Sequence, residues 1–214
     1  WPLCRGGIMA GQPDCCRSVA GWQERFTHWI DQGAPQDLMQ AAIFFDLRPV
    51  AGQVALAAPL RAHITAQARA NRRFLMQMAT HALHQRPPLQ WLGGLATTAR
   101  EGHALLDLKL QGTALFVEAA RVLALAAGVP ATGTRERLLA LPGAGGLPAQ
   151  EAAACVTAFE HLQALRLRQQ LAAADGAAGA NLCEVDGLDP LEQRMLRDAL
   201  AVARPLQQRL ALDF

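Results

Sequence analysis

Apolar residues recur at steps of three and four along most of the chain, which is the spacing of amphipathic helices. In the first such segment Val19, Trp22 and Phe26 fall on one face, and Asp14 is placed to cap the helix that carries them. Glycines and prolines interrupt the pattern and divide it into separate helices. The predicted helices cover 14–30, 35–45, 53–69, 72–86, 113–127, 134–141, 148–173 and 190–214, the third and fourth being either two helices or one bent helix.

Two of these helices carry signals beyond periodicity. The segment 113–127 is apolar nearly all round, which is typical of a helix buried on every side. The last helix opens with Asp189 as its cap, Pro190 in its first turn and Glu192 three residues after the cap, placed to bond back to it. These signals predict a central buried helix and a firmly started C-terminal one.

Two stretches lack helical periodicity. Residues 89–112 contain several glycines, and although 105–110 alternate enough for a strand, the sequence offers no partner strand, so we predict a loop. Residues 174–187 are rich in Ala and Gly and are predicted to form a mobile loop. The fold class that follows is all-α, a bundle of about seven to eight helices with an irregular N-terminal lead-in.

Composition narrows the class of protein. Hydrophobic residues make up 51% of the 214 residues, mostly Ala and Leu, with no Tyr, which favours helices over sheets. A net charge of +2 with scattered arginines argues against nucleic-acid binding. From the sequence we expect no apolar stretch to reach the roughly 18 residues of a membrane span, since the closest, 122–129, is too short. Five cysteines without a paired spacing indicate reduced thiols and a cytoplasmic location.

Motifs for catalysis are missing from this sequence. It contains no glycine-rich phosphate loop, no G-x-S-x-G, no H-E-x-x-H and no D-x-D pair. Glu184 and Asp186 have a similar spacing but fall in the predicted mobile loop, and Cys15 with Cys16 matches no familiar zinc spacing. We therefore expect no catalytic residue and no metal site in this chain, and no active site built from it alone.

Charged and polar residues in apolar settings are the remaining candidates. In the helix from Pro148, projection at 100° per residue places Gln163, Arg166 and Gln170 on the buried face, whereas Arg168 and His161 point away. An arginine on an apolar face requires a structural ion-pair partner or a ligand, and the sequence leaves both open. The buried face is defined by Ala152, Val156, Phe159 and Leu162.

Three further charged pairs fit either a structural or a binding role. Asp107 and Lys109 flank one residue and point the same way if the chain is extended there, and Asp46 and Arg48 share that spacing. Such pairs between hydrophobic anchors would line a polar cleft, although loop charges are usually solvated.

The third pair, Glu118 and Arg121, lies in the apolar helix 113–127 with a spacing of three residues. This spacing suits a local salt bridge.

Several segments together resemble a known family. They are Gly6-Gly7-Ile8-Met9-Ala10, Cys16-Arg17-Ser18 with Trp22, Ile43-Phe44-Phe45-Asp46-Leu47-Arg48-Pro49-Val50, Arg73-Phe74-Leu75, Pro87-Pro88-Leu89, Asp107-Leu108-Lys109, Ala120-Arg121-Val122-Leu123 and Leu165-Arg166-Leu167-Arg168-Gln169-Gln170. With the final helix, they resemble the substrate-binding domains assigned to nucleotidyltransferases in bacterial signal-transduction proteins.

The resemblance implies a domain organisation and a chemistry. Residues 1–12 would be the tail of an upstream nucleotidyltransferase domain similar to PII-protein uridylyltransferases, and 13–214 the helical substrate-binding domain. CBS or cyclic-nucleotide-binding modules would stand further upstream. The metal site would lie in the catalytic domain, so this chain needs no cofactor of its own, whereas the full-length protein would use Mg²⁺ and a nucleoside triphosphate.

The implied substrate site consists of Asp46, Arg48, Asp107, Lys109, Arg121, Arg166 and Gln170. The basic members would meet nucleotide phosphates or the acceptor, which could be a protein, and homodimerisation stays open. Two other functions are compatible with the sequence. One is a non-catalytic interaction or dimerisation module that relays signals from sensor domains, and the other is a small-molecule sensor with a closed apolar cleft.

Overall fold

Eight α-helices and three short strands make up the part of the chain that this computed structural model describes, namely Met9 and residues 11–91, 94–100, 102–172 and 180–214. The described residues divide into two units, Trp1–Phe74 and Leu75–Phe214, and the division falls inside a helix. The helices are α1 (Val19–Gln32), α2 (Pro35–Phe44), α3 (Ala57–Ala70), α4 (Arg72–Ala82), α5 (Ala114–Ala127), α6 (Thr134–Ala140), α7 (Ala149–Ala172) and α8 (Pro190–Asp213), and the strands are β1 (Thr98–Arg100), β2 (His103–Asp107) and β3 (Leu182–Glu184). The predicted helical bundle is confirmed, with a small sheet added to it.

The first unit is built around aromatic side chains. Helix α1 packs against α2 and α3 and buries Phe26, Trp29 and Ile30. The rings of Phe26 and Trp29 meet edge to face with centroids 5.3 Å apart, a geometry in which the positive edge of one ring meets the negative face of the other. The predicted apolar face of this helix is thus confirmed.

The start of α1 differs from its prediction. The cap is Ser18, whose Oγ accepts a hydrogen bond from the backbone N–H of Gly21 at 3.0 Å. Asp14 lies instead in a separate 3-10 turn, Pro13–Cys15, and forms an ion pair with Arg17 at 3.0 Å. The prediction of Asp14 as the cap is wrong because its side chain is used by Arg17, while Ser18 stands directly before the first helical residue.

The second unit is organised around α5. Nine residues from Leu115 to Leu125 are buried in it, as its all-round apolar sequence predicts. The longer segment Leu108–Ala127 has the length and composition of a membrane-spanning helix, contrary to the expectation that no stretch reaches that length. However, 61% of that window is buried inside the protein, as in the core helix of a folded domain. Helices α6 and α8 pack on α5, and α6 also packs on α7.

A three-stranded antiparallel sheet in the order β1-β2-β3 replaces two predicted loops. Leu106 of β2 pairs with Cys183 of β3, and both side chains are fully buried. The loop predictions for 105–110 and for the described end of 174–187 are wrong, because each strand is stabilised by a partner far away in the sequence. After Asp107 the chain enters a short π-helix, Leu108–Thr113, that leads into α5.

Helices α7 and α8 form an antiparallel pair. Arg168 of α7 forms an ion pair with Glu192 near the start of α8, and Glu151 near the start of α7 lies 3.8 Å from Arg209 near the end of α8. The predicted cap of α8 is confirmed, since Asp189 Oδ1 accepts the backbone N–H groups of Leu191 and Glu192 at 2.8 Å each. The carboxylate of Glu192 accepts the Asp189 N–H in return.

Candidate functional site

Two side chains near the end of α7 converge on one amide. Arg166 Nε donates a hydrogen bond to Asn181 Oδ1 at 2.7 Å, and Gln170 Nε2 donates to the same oxygen at 3.1 Å. Both donors lie one turn apart on the same side of α7 and are half-buried. With Asp107 and Lys109, these three residues form what we call the Asn181 cluster.

The backbone fixes Asn181 in place. Its carbonyl accepts the N–H of Leu108 at 2.9 Å, at the point where the chain leaves β2 for the π-helix. The next residue, Leu182, pairs with Asp107 in the register of the sheet. Asn181 therefore joins the end of β2 to the start of β3 and presents its side chain to α7.

Asp107 and Lys109 are brought to this junction but are not arranged as predicted. Asp107 Oδ1 accepts the backbone N–H groups of Lys109 and Leu110 at 2.8 Å each, so the carboxylate caps the π-helix. The chain is extended only up to Asp107, and the π-helix starts at Leu108, so the extended conformation in which the two side chains would point the same way is not formed. Lys109 is the solvent-exposed member of the cluster.

The two arginines of α7 differ in whether a carboxylate lies against them. The exposed Arg168 pairs with Glu192, and this hydrogen bond lowers the pKa of the Glu192 carboxyl. Arg166, two residues earlier, meets only the neutral amide of Asn181 among the described contacts. Its full positive charge thus lies half-buried in the cluster, without a carboxylate against it.

The buried face of α7 is confirmed at Arg166 and Gln170 but not at Gln163. Gln163 is exposed, and His161, predicted to point away, is half-buried. The predicted face of Ala152, Val156, Phe159 and Leu162 is buried, and the buried stripe also includes Cys155, Ala158 and Leu165. After Leu162 the next buried residue is Leu165, so the stripe leaves Gln163 outside it.

Arg121 lies in the core of α5. Its side chain is 6% exposed, and its NH1 lies 2.6 Å from Glu118 Oε2. The local salt bridge predicted from the spacing is confirmed. The role of Arg121 in substrate binding stays a prediction.

Residues 72–214, more than half of the chain, match the family model described as "Putative nucleotidyltransferase substrate binding domain". The chain belongs to this family. Residues 1–36 match a second model, described as "Putative nucleotidyltransferase DUF294". No curated protein and no solved structure matches the chain.

The predicted site residues are divided by the fold and by the family match. Those of the Asn181 cluster, and Arg121, fall within the part matched to the substrate-binding domain. Asp46 and Arg48 lie outside both matched ranges, in the first unit, directly after α2, where Asp46 is half-buried and Arg48 exposed.

Two carboxylates of the substrate-binding domain contact β2. Glu184 lies against His103, and Asp186 Oδ2 accepts the N–H of Ala104 at 3.2 Å, so these exposed side chains connect the segment after Asn181 to β2. Across the described ranges, no three His, Cys, Asp or Glu side chains are grouped so that they could hold a metal ion. This finding also covers the described Cys15 and Cys16, although Cys4 lies outside the described residues.

Asn181 itself was not identified from the sequence. The local signal is weak, because Ala and Gly dominate the preceding residues and hide the alternation of apolar and polar residues in Cys183, Glu184, Val185 and Asp186. That alternation is typical of a half-buried strand. Read as a strand, it would have placed Asn181 at a strand start and made it a candidate partner for a buried arginine.

Proposed function

We propose that this chain positions the nucleotide for a nucleotidyltransferase of the PII-uridylyltransferase type, with the Asn181 cluster contacting the nucleotide phosphates. The observation that carries the proposal is the un-neutralised, half-buried guanidinium of Arg166, held in orientation by Asn181. A guanidinium suits phosphate recognition because its N–H groups form a fork that matches two oxygens.

The neighbouring groups support this assignment. Gln170 shares the acceptor on Asn181 and retains a second amide hydrogen for a ligand. The exposed Lys109 adds a second positive charge at the start of the π-helix. Asp107 is engaged by two backbone N–H groups, so its negative charge is partly offset at the site. The cluster thus offers hydrogen-bond donors and net positive charge.

The role of this chain in the proposal is binding and orientation. The described residues do not fit a divalent cation, so no step through a metal is derived for them. Mg²⁺ and the in-line attack belong to the nucleotidyltransferase domain, of which residues 1–36 match a part. The proposal includes a cytoplasmic protein acceptor and control by upstream CBS or cyclic-nucleotide-binding modules.

A thermal-shift screen against ATP, CTP, UTP and GTP, each with and without Mg²⁺, tests nucleotide binding. Ligand at about a hundredfold over its Kd should stabilise the protein by roughly 2.7 kcal/mol, which raises the melting temperature visibly. Arg166→Ala should remove the shift, whereas Arg168→Ala, a matched charge change two residues away on an exposed side chain, should keep it. Equal shifts in both variants would count against the Asn181 cluster.

A transfer assay tests the same site in the protein that joins this chain to its nucleotidyltransferase domain. We expect Lys109→Ala and Arg166→Ala to lower nucleotidyl transfer. Arg48→Ala, which lies in the first unit and outside the Asn181 cluster, tests separately the role in substrate binding that the resemblance implies for Arg48, and it should also lower transfer. Wild-type rates in all three variants would exclude the proposal.

One observation favours a second candidate, an interaction or dimerisation module. Helix α7 exposes Leu167 and Leu171, and α8 exposes Leu191 and Met195, each pair one turn apart. Exposed apolar side chains grouped in this way are typical of association surfaces. Sedimentation of the wild type and of Leu167→Glu with Leu171→Glu would decide it, because a dimer through this surface should dissociate in the double variant.

A further inference from the structure

A groove on the second unit lies away from the Asn181 cluster. It has a volume of about 530 Å³ and runs between the segment after α4 and the second half of α8. On α8, Arg204, Gln207 and Ala211 line it at steps of three and four, which places them on one side of the helix. In the antiparallel pairing of α7 and α8, Arg204 lies level with residue 156, about 15 Å along the axis from Arg166.

Two hydrogen bonds build the walls of this groove. Gln207 is 7% exposed and donates from Nε2 to the backbone carbonyl of Gln85 at 2.7 Å. Arg204 donates to the carbonyl of Leu89 at 3.1 Å. The segment between these two carbonyls is thereby fixed along α8, and Arg86 within it is placed on the groove.

The charge of the groove is unbalanced. Arg86 and Arg204 both line it, and no Asp or Glu is among its lining residues. Elsewhere on this unit Arg121, Arg135, Arg168 and Arg209 each lie against a glutamate. In the described part of the chain, Arg86 and Arg204 form no ion pair with a carboxylate. Two guanidinium groups in one concave surface without an acid attract anions.

The other residues that line the groove indicate which kind of ligand it fits. Leu83, Pro87 and Leu89 give the groove an apolar side, and its volume lies within the range of small-molecule sites. A guanidinium pair next to an apolar wall suits a molecule with an anionic end and a ring. The planar fork of N–H groups on arginine matches the oxygens of phosphate and those of carboxylate.

We infer that this groove, between Arg86 and Arg204, binds the phosphate of a small phosphorylated molecule whose ring packs on Leu83, Pro87 and Leu89. The inference does not rest on the proposed function, because the groove shares no residue with the Asn181 cluster. It gives the unit a second ligand site, next to α4.

Calorimetric titration of the full 214-residue chain at low salt with AMP, inorganic phosphate and adenosine tests the inference. AMP and phosphate carry similar charge, so their difference reports on the ring, and adenosine reports on the ring without phosphate. We expect AMP to bind, phosphate to bind about tenfold more weakly, and adenosine to give no measurable heat. The affinity for AMP should also fall with added salt, because charge attraction is screened.

Variants of Arg86 and Arg204 test whether AMP binds in this groove. Arg86→Gln and Arg204→Gln should each weaken AMP binding about tenfold, the value typical of one charge-assisted hydrogen bond. Arg194→Gln is the matched control, since it removes the same charge from an exposed position on the same helix, and it should bind AMP normally. Arg86→Gln breaks no hydrogen bond of the described structure, so a fold defect there is not expected.

Each outcome has a distinct meaning. Unchanged AMP affinity in both groove variants, absence of AMP binding by the wild type, or equal binding of adenosine would overturn the inference. Loss of AMP binding in Arg166→Ala with normal binding in Arg86→Gln would also overturn it, while supporting the Asn181 cluster. The converse pattern would establish the groove and leave the Asn181 cluster to be judged by its own tests.

Discussion

The middle of α5 and the end of α7 each place an arginine on an apolar helical face, with opposite surroundings. Arg121 of α5 is almost fully buried and pairs with the carboxylate of Glu118. Arg166 of α7 is half-buried and pairs with the neutral amide of Asn181. One positive charge is thus balanced within the protein, and the other is oriented without being balanced.

This difference separates scaffold from candidate site. When a buried arginine is paired with a carboxylate, the two charges neutralise each other. Removing one partner leaves the other charge uncompensated. An arginine held by an amide has its geometry fixed and its charge available, which is the arrangement a phosphate requires. The same reasoning applies to the groove of Arg86 and Arg204, where a backbone carbonyl orients one of the arginines.

The largest expected effect is the loss of stability in Arg121→Ala. Breaking this pair removes a buried side chain and leaves Glu118 without its partner, and because Glu118 is 30% exposed we expect about 3 kcal/mol, the lower end for buried pairs. Arg166→Ala should cost about 1 kcal/mol, since it removes one hydrogen bond to a neutral group. Urea unfolding measures both. Equal losses in the two variants would remove the distinction between the regions.

A second test uses two buried thiols, that of Cys155 on α7 and that of Cys183 on β3, two residues after Asn181. Burial raises the pKa of Cys155 and of Cys183 to about 11, with Glu151 adding to the first. Because the unfolded thiols ionise near their ordinary pKa of 9.0 while the folded ones stay protonated, stability is intact below about pH 8 and falls as the pH rises from 9 to 11.

The expected loss between pH 8 and pH 10 is about 2 kcal/mol by urea unfolding. The chain has no Tyr, and Lys109 is its only lysine, so apart from the other three cysteines few groups titrate in this range. Cys155→Ala and Cys183→Ala should each flatten the pH dependence. An unchanged dependence in the combined variant would show that ionisation of these two thiols is not its cause.

A smaller effect is expected when both members of the α5 pair are replaced. Glu118→Gln combined with Arg121→Met removes the two charges while keeping side-chain length, and stability should stay within about 1 kcal/mol of the wild type. Nucleotide binding should be unaffected if this pair is only scaffold. A loss of nucleotide binding in a stable double variant would instead assign Arg121 to the site.

The smallest expected change in stability comes from Asn181→Asp, which gives Arg166 the carboxylate that Arg121 already has. The new ion pair should add about 0.5 kcal/mol. Nucleotide binding should nevertheless be lost, because the new carboxylate neutralises the charge of Arg166. The matched variant Asn181→Ala leaves that charge available and should retain part of the binding. Tight nucleotide binding by Asn181→Asp would contradict the proposed role of Arg166.

Local signals predicted most helices of this fold. The all-round apolar run of α5 and the Asp189–Glu192 cap of α8 depend on neighbouring residues, and the structure confirms both. The predicted cap of α1 is wrong because Asp14 and Ser18 are both good caps, and Asp14 pairs with Arg17 while Ser18 starts the helix. Strands β2 and β3 were missed because each is stable only with a partner that lies far away in the sequence.

The candidate site was predicted only in part, again because local patterns can be read from the sequence and long-range pairing cannot. Arg166 and Gln170 follow from helical periodicity, which is local. Asn181, which joins them, follows from strand pairing, which is not. Arg86 and Arg204 are separated by more than a hundred residues, and nothing in the sequence places them in one groove.

The pairing of α7 with α8 also restricts how the length of this chain can change in evolution. Arg168 follows Glu151 by 17 positions on one helix, and Arg209 follows Glu192 by 17 positions on the other. One residue inserted into either helix would turn everything beyond it by about 100° and shift it by about 1.5 Å, so the two ion pairs could not form together. Insertions and deletions in related sequences should therefore fall between residues 172 and 190 or beyond the helix ends, and a homologue with a length change inside one helix should carry a compensating change in the other.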